Sequence, residues 1–439
     1  MLIFLTHANH LYSDRKQVRK MQPYPPLQTL IAAALLRRDG HEVVFFDCTF
    51  DRDFLQVMDA RRPDLVAVCE DNFNFLTKMC LLENRELAFS IAAAARERGI
   101  PSIVNSSDST GNPQAYLAAG FDRVILGELE GTLSELCRNW QSKPPQIEYD
   151  PARAIADLDE LPMPAWDLVD MEAYRRAWMD AHGYFSLNLA ASRGCPYRCN
   201  WCAKPVHGDA YRRYSPDRAA AELECVRDLF APDQIWFTDD IFGLSGKWAR
   251  EFAACVERRG VRIPFRMQSR CDLMTRETVE ALARAGCVEV WMGAESGSQR
   301  ILDAMQKGIR VEQIAEARAN LRRHGIRACL FLQFGYLGEE WDDIERTVRM
   351  VREVHPDDIG VSVSYPMPNT RFHQIVQEQM RGQANWRDSG DLAMMYQGAF
   401  PTEFYRALAD ALHSEVRGGP AGPVEAAWEK VEQLRCACC

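Results

Sequence analysis

Apolar positions in the first third of the chain gather in short runs rather than in long amphipathic stripes. Leu2 to Thr6, Glu42 to Asp47, Leu65 to Cys69, Ser102 to Asn105 and Val124 to Leu126 are rich in Val, Ile, Leu and Phe and bounded by polar residues. Runs of this length read as strands buried on both faces. Between them the spacing shifts to the 3.6-residue period of helices, at Leu27 to Arg38 and Glu83 to Arg98, and Gly127 to Thr132 opens another. Strands and helices in alternation predict a parallel sheet with right-handed crossovers, a Rossmann-like α/β domain over residues 1–142.

The alternation then breaks. Pro144, Pro145, Pro151, Pro162 and Pro164 punctuate residues 143–182, which read as a linker. Strand-like runs resume over 183–375, at Leu187 to Ala191, Gln234 to Thr238, Pro264 to Gln268, Val288 to Gly293, Cys329 to Phe334 and Asp358 to Ser364. Six strands with helices between them predict a partial (β/α)6 barrel. Residues 376–439 read as mostly helical, with helices at Thr402 to Arg417 and Val424 to Leu434 around the breaker Gly418 to Pro423.

Composition narrows the classes. The 439 residues are 47% hydrophobic and 26% charged, enough for two or three domains with sizeable cores. No apolar run nears the ~18 residues that span a bilayer. The opening Met1 to Leu5 is too short and lacks the basic flank of a secretory segment, so it reads as a strand. A net charge of −10 argues against nucleic acid as a partner. Fifteen cysteines spread along so long a chain do not form a secreted disulfide framework; reduced thiols in a cytoplasm, some holding metal, fit better.

Three of those cysteines carry the chemistry. Cys195, Cys199 and Cys202 stand at Cys-x3-Cys-x2-Cys spacing after Ser192-Arg193-Gly194. A structural zinc site closes with four ligands, and an ordinary 4Fe-4S cluster takes four thiolates. Three leave one iron open. This motif resembles that of the radical S-adenosylmethionine (SAM) enzymes, whose open iron is chelated by the amino and carboxylate groups of SAM. The resemblance implies that the loop hangs from the C-terminal end of the first barrel strand, where parallel barrels build active sites.

The later strand ends match the same superfamily in order. By resemblance, the acidic pair Asp239 and Asp240 meets the SAM ammonium group, with Asp240 preferred because Asp239 could cap the next helix, and Arg270 offers its fork to the SAM carboxylate. Gly293, Glu295 and Ser296 lie in a Gly-x-Glu-Ser-Gly turn, where glycine allows close cofactor approach and Glu295 can accept from the ribose or the ammonium. Gln333 and Gly335 lie in a turn like the family's Gly-x-Pro-Gly-Glu beside the adenine, with Leu337 in place of proline. Tyr365 to Thr370 resembles the sixth-strand turn, with Asn369 replacing a glycine at a position that can take positive φ.

The first domain resembles the cobalamin-binding domain that precedes many radical SAM barrels, which implies cobalamin as a third cofactor beside the 4Fe-4S cluster and SAM. Two departures matter: the first removes only a lower axial histidine, a loss that many such domains tolerate, and the second is the more telling. No Asp-x-His-x-x-Gly follows the first strand, and Asn105-Ser106-Ser107-Asp108 stands where the family has a Gly-Gly-Pro-His type turn, so side chains fill space that a corrin would need.

The tail Arg435-Cys436-Ala437-Cys438-Cys439 puts three thiols in four residues. They could bind an auxiliary cluster or zinc, relay reducing equivalents, or present a soft substrate, since thiolates favour soft ions such as trivalent arsenic. With such a tail the chain resembles the radical SAM enzyme of arsinothricin biosynthesis. That resemblance implies transfer of the 3-amino-3-carboxypropyl group of SAM to arsenite held by Cys436, Cys438 and Cys439, with flavodoxin or ferredoxin as electron donor. Cobalamin-dependent radical C-methylation of a small-molecule natural product is the alternative expectation.

Overall fold

The structure, a computed structural model, describes residues 1–140, 144–380 and 385–437. Strands β1 (Leu2–Thr6), β2 (Glu42–Phe46), β3 (Leu65–Cys69), β4 (Ser102–Asn105), β5 (Arg123–Ile125) and β6 (Gln146–Glu148) form one parallel sheet in the order β2-β1-β3-β4-β5-β6. Alternate residues serve opposite faces. Phe4, Val66, Val68, Val104 and Val124 join one core, while Ile3, Leu5, Leu65, Ala67, Ile103 and Ile125 join the other. Each of these Val, Leu, Ile and Phe side chains, taken fully from water, contributes about 1.5–3 kcal/mol, which is why these strands read as unbroken apolar runs. The sixth strand lies in the stretch read as a linker, which also carries the helix Met171–His182.

Strands β7 (Ser186–Leu189), β10 (Gln234–Phe237), β11 (Phe265–Arg270), β12 (Cys287–Glu295), β13 (Arg327–Phe334) and β14 (Asp358–Val363) make the six-strand parallel half-barrel expected, in the order β14-β13-β12-β11-β10-β7. Between β7 and β10, β8 (Ser192–Arg193) and β9 (Arg212–Arg213) pair as a two-residue antiparallel ribbon. The chain divides into two compact units. The first is Met1–Pro196, Ala203–Asp239 and Asn385–Asp391, and the second is Tyr197–Cys202, Asp240–Ala384 and Leu392–Cys439.

The C-terminal region is helical, as expected. Helices Thr402–Val416 and Ala421–Cys436 form a hairpin, Trp428 Nε1 donating to Glu415 Oε2 at 2.7 Å. The breaker is shorter than its glycines suggest: Gly418 turns at φ +68° and the second helix already begins at Ala421. Among the described residues no helix is long and apolar enough to cross a membrane.

Candidate active site

The cysteine loop leaves the ribbon through Gly194. Its φ is +75°, and a Cβ there would run into the carbonyl of Ala210 and lie 3.0 Å from those of His207 and Gly208, so only glycine fits. The loop base is fixed by backbone and charge. Cys195 N donates to Gly208 O at 3.3 Å, and Lys204 Nζ donates to Cys195 O at 2.7 Å. Arg193 is buried, its Nη2 2.7 Å from Glu130 Oε1 and its Nη1 4.0 Å from Glu128. Arg212 pairs with Glu128 as well. Burial would raise the Glu128 carboxyl, but His207, Arg212 and Arg193 together take it down to about 2.

In the second unit, Asn200, between Cys199 and Cys202, is clamped to the turn after the helix Gln299–Ala304. Its N–H donates to Met305 O at 3.0 Å and its Nδ2 to Ala304 O at 2.8 Å, while Tyr336 Oη lies 2.8 Å from Nδ2. The same turn presents Lys307, buried, with Nζ 2.7 Å from Glu295 Oε1 and 6.0 Å from the Trp201 ring centre. Burial pulls the Lys307 ammonium down, but Glu295 and the nearby Cys199 more than offset it, so it stays charged. Glu295 is aimed by its backbone: β12 shifts register against β13 between Gly293 and Glu295, and Glu295 takes φ +60°. Gly293 leaves room for this pair, since a Cβ there would meet Glu295 Oε1 and Lys307 Nζ, each at 2.5 Å. Arg270 lies over the Tyr197 ring at 3.7 Å and forks onto Asp272 at 2.9 and 3.2 Å.

The other predicted residues divide. Asp239 is buried and accepts from Ala191 N at 3.1 Å and from Ser192 Oγ, so it ties down the end of β7, while Ser245 caps the next helix, Gly246–Arg259; Asp240 is half-buried. Ser296 turns to Thr347 Oγ1 at 3.1 Å and accepts from Ser298 N, which makes it part of the turn itself. Gln333 donates to Ser364 at 3.0 Å. Gly335 has φ +71°, donates to Glu339 at 2.5 Å and accepts from Tyr396 Oη, and a Cβ there would crowd Met394 and Tyr405. Burial pushes the Glu339 carboxyl up to about 8. Asn369 takes φ +65°, the conformation expected of it. Sequence reasoning passed over Lys307 and Asn200, and the one signal for them was their position beside cysteines and glycines.

Cys195, Cys199 and Cys202 are half-buried cysteines outside any disulfide, and Cys436 is exposed. Cys438 and Cys439 lie outside the described residues. Burial raises most other thiols, taking Cys48, Cys137 and Cys271 up to about 12. Among the described residues no three His, Cys, Asp or Glu side chains converge closely enough for a single metal ion. A cluster of four irons is far larger than one ion and takes its thiolates from further apart, so the donor set of three accessible thiols still suits it.

A second polar site lies at the C-terminal edge of the first sheet, where the strand order reverses between β1 and β3, the crevice at which open α/β sheets bind ligands. His7, Gln28, Glu70, Asp71, Asn72 and Asn105 are all buried there. Burial pushes Glu70 up to about 7 and Asp71 to about 6. Asn105 donates to Ile125 O at 3.0 Å and Gly127 O at 2.9 Å, and Asn72 bonds Asn105 and Ser107. Asn105 and Ser107 thus fill the turn where the resemblance to a cobalamin-binding domain would call for glycine. Even so, Gln28 Nε2, Glu70 Oε2 and Thr77 Oγ1 are buried without a protein hydrogen-bond partner, polar groups left for water or a ligand to satisfy.

Residues 189–351 match the model of the radical SAM superfamily. The chain is 25% identical over 388 residues to an uncharacterised methyltransferase of Pyrococcus horikoshii, covering 83% of this chain and 81% of that protein. It is 25% identical over 402 residues to the hopanoid C-3 methylase of Methylococcus capsulatus, covering 87% and 73%. Its fold resembles that of the radical SAM methyltransferase TsrM of Kitasatospora setae, solved with cobalamin and a 4Fe-4S cluster, with TM-score 0.69, 20% identity and coverage of 86% and 78%. It resembles the cobalamin-dependent enzyme OxsB with aqua-cobalamin equally, with TM-score 0.69, 17% identity and coverage of 100% and 71%.

Proposed function

Because this chain is a radical SAM enzyme, with a 4Fe-4S cluster and SAM as cofactors, we propose that it is a cobalamin-dependent methyltransferase acting on a small-molecule acceptor. The carrying observation is the gathering of Cys199, Arg270, Glu295 and Lys307 around the turn at 304–308, in a chain that resembles an uncharacterised methyltransferase and a hopanoid C-3 methylase over most of its length. Cys195, Cys199 and Cys202 hold the cluster and leave its fourth iron to SAM. Asp240 receives the SAM ammonium group, Arg270 the carboxylate, and Glu295 the ribose hydroxyls. When bound, the reduced cluster supplies one electron to the SAM sulfonium, and cobalamin supplies a carrier for the methyl group. The orphaned Gln28, Glu70 and Thr77 groups suit polar appendages of the corrin, whereas Asn105 to Asp108 narrow its approach. The chain needs an electron donor of the flavodoxin or ferredoxin kind in its cytoplasmic setting.

A second reading, aminocarboxypropyl transfer to trivalent arsenic, draws on the tail. Arg435 lies over the Trp341 ring at 4.6 Å, so the tail begins against the start of the helix Trp341–Val354. The methyltransferases named above favour the first reading. One experiment separates the two: the reduced protein is incubated with SAM, with and without arsenite, and the products are identified by mass. 5′-Deoxyadenosine together with a corrin absorption retained through gel filtration supports methylation. Methylthioadenosine that depends on arsenite, and is lost when residues 435–439 are deleted, overturns it for the second reading.

A further inference from the structure

The turn Ala304-Met305-Gln306-Lys307-Gly308 meets three parts of the candidate site in the second unit: Asn200, Arg270 and Glu295. Its carbonyls hold Asn200 inside the cysteine motif, and Gly308 O accepts from Arg270 at 3.4 Å. Its one cation, Lys307, is only 6% exposed. Burying an ammonium is costly unless it is paired, and the pairing here is built rather than incidental. It requires a left-handed backbone at Glu295, a glycine at 293 and left-handed residues at Gln306 and Gly308, with φ +55° and +67°. A carboxylate could have been used to bind SAM without importing a lysine. Instead the chain sets a lysine ammonium 6.0 Å from the ring centre of Trp201, which stands between Asn200 and Cys202 in the cysteine loop, and holds it there with Glu295.

We propose that Lys307 is a positioning residue whose buried charge sets the reduction potential of the cluster bound by the cysteine loop, with Glu295 as its holder. The inference rests on the radical SAM reading of that loop. One-electron reduction adds negative charge to a cluster that three thiolates already make anionic, and a cation in a low-dielectric site favours the reduced form. The role assigned to Glu295 follows: its charge is matched by Lys307, so it serves the neutral ribose hydroxyls and leaves the SAM ammonium to Asp240.

The test uses the full-length reconstituted protein, with iron content, cluster midpoint potential and SAM dissociation constant as readouts. Lys307→Met should retain iron and shift the potential negative by a tenfold change in the one-electron equilibrium, 59 mV. Glu295→Gln should shift it positive, and Lys307→Arg should leave it near wild type. Opposite signs for Lys307→Met and Glu295→Gln are the signature of charge, because a merely structural loosening moves both in one direction. Equal signs, or an unmoved potential in Lys307→Met with its cluster intact, would overturn the proposal. If Lys307→Met fails to hold iron, the comparison of Lys307→Arg with Glu295→Gln decides, and a Glu295→Gln potential at or below wild type overturns it. Failure of wild type itself to take up a cluster counts against the radical SAM reading and not against Lys307 alone.

Discussion

Replacing Arg193 by Met tests whether the cysteine loop is anchored by buried charge. The guanidinium side chain is 1% exposed and that of Glu130 0%, at 2.7 Å, with Glu128 4.0 Å away on the other side. Removing one partner of such a pair leaves an uncompensated charge in the interior and costs about 3–5 kcal/mol. Arg193 Nη1 and Glu130 Oε2 make no hydrogen bond of their own, so the pair is incompletely satisfied and the lower figure is the better one. Methionine also keeps apolar contact with Phe73, over whose ring Arg193 lies at 5.5 Å. We therefore expect a loss of ~3 kcal/mol for Arg193→Met. Arg193→Met with Glu130→Gln should come back to within ~1 kcal/mol of wild type, because the stranded charge is gone. Urea unfolding of both single variants and the double variant, followed by tryptophan fluorescence, closes the cycle, and iron per chain after reconstitution reports the loop. A cost below ~1 kcal/mol for Arg193→Met, or strictly additive single variants, would refute the anchoring argument.

Three further outcomes follow from the same geometry. Asp240→Asn should weaken SAM binding by about 1.5–3 kcal/mol in calorimetric titration, through loss of a charge-assisted bond, while Asp239→Asn should chiefly lower thermal stability because it unties the end of β7. Glu70, raised by burial from 4.5 to about 7, binds more protons folded than unfolded, so its share of stability falls as pH rises through that window. Glu70→Gln should accordingly stabilise the protein at pH 8 relative to wild type and lose that advantage by pH 5, as read from melting temperatures. Changing Cys195, Cys199 and Cys202 together to Ala should leave a folded protein without the ~400 nm iron-sulfur absorption and without SAM cleavage.

The strands were legible because parallel strands covered on both faces leave unbroken apolar runs, and Leu65 to Cys69 is buried at every residue. β6 escaped notice because Gln146 to Glu148 is only half-buried and sits among prolines. The cysteine motif and strand-end turns were visible as short local patterns. Which of two adjacent acids ties down the chain was not, since that depends on where Ala191 N and Ser192 Oγ arrive in space. Lys307 escaped for the same reason: its partner is twelve residues away, and the pairing exists only because β12 bulges before Glu295. Arg193, in a two-residue strand, gave no hydrophobic signal to mark it as interior.

Thiol burial bears on how iron finds its destination during assembly. Iron is captured by thiolates, and a thiol pushed up to about 12, as in Cys48, Cys137 and Cys271, is almost never ionised at neutral pH. These cysteines are silent competitors, and the accessible thiols of the loop receive the metal. Cys436 is accessible as well, so crude reconstitution should overload the chain with iron at the C-terminal end. Reversible masking of exposed thiols after the loop has been filled would strip that excess and return the stoichiometry to four irons per chain, the complement of one cluster.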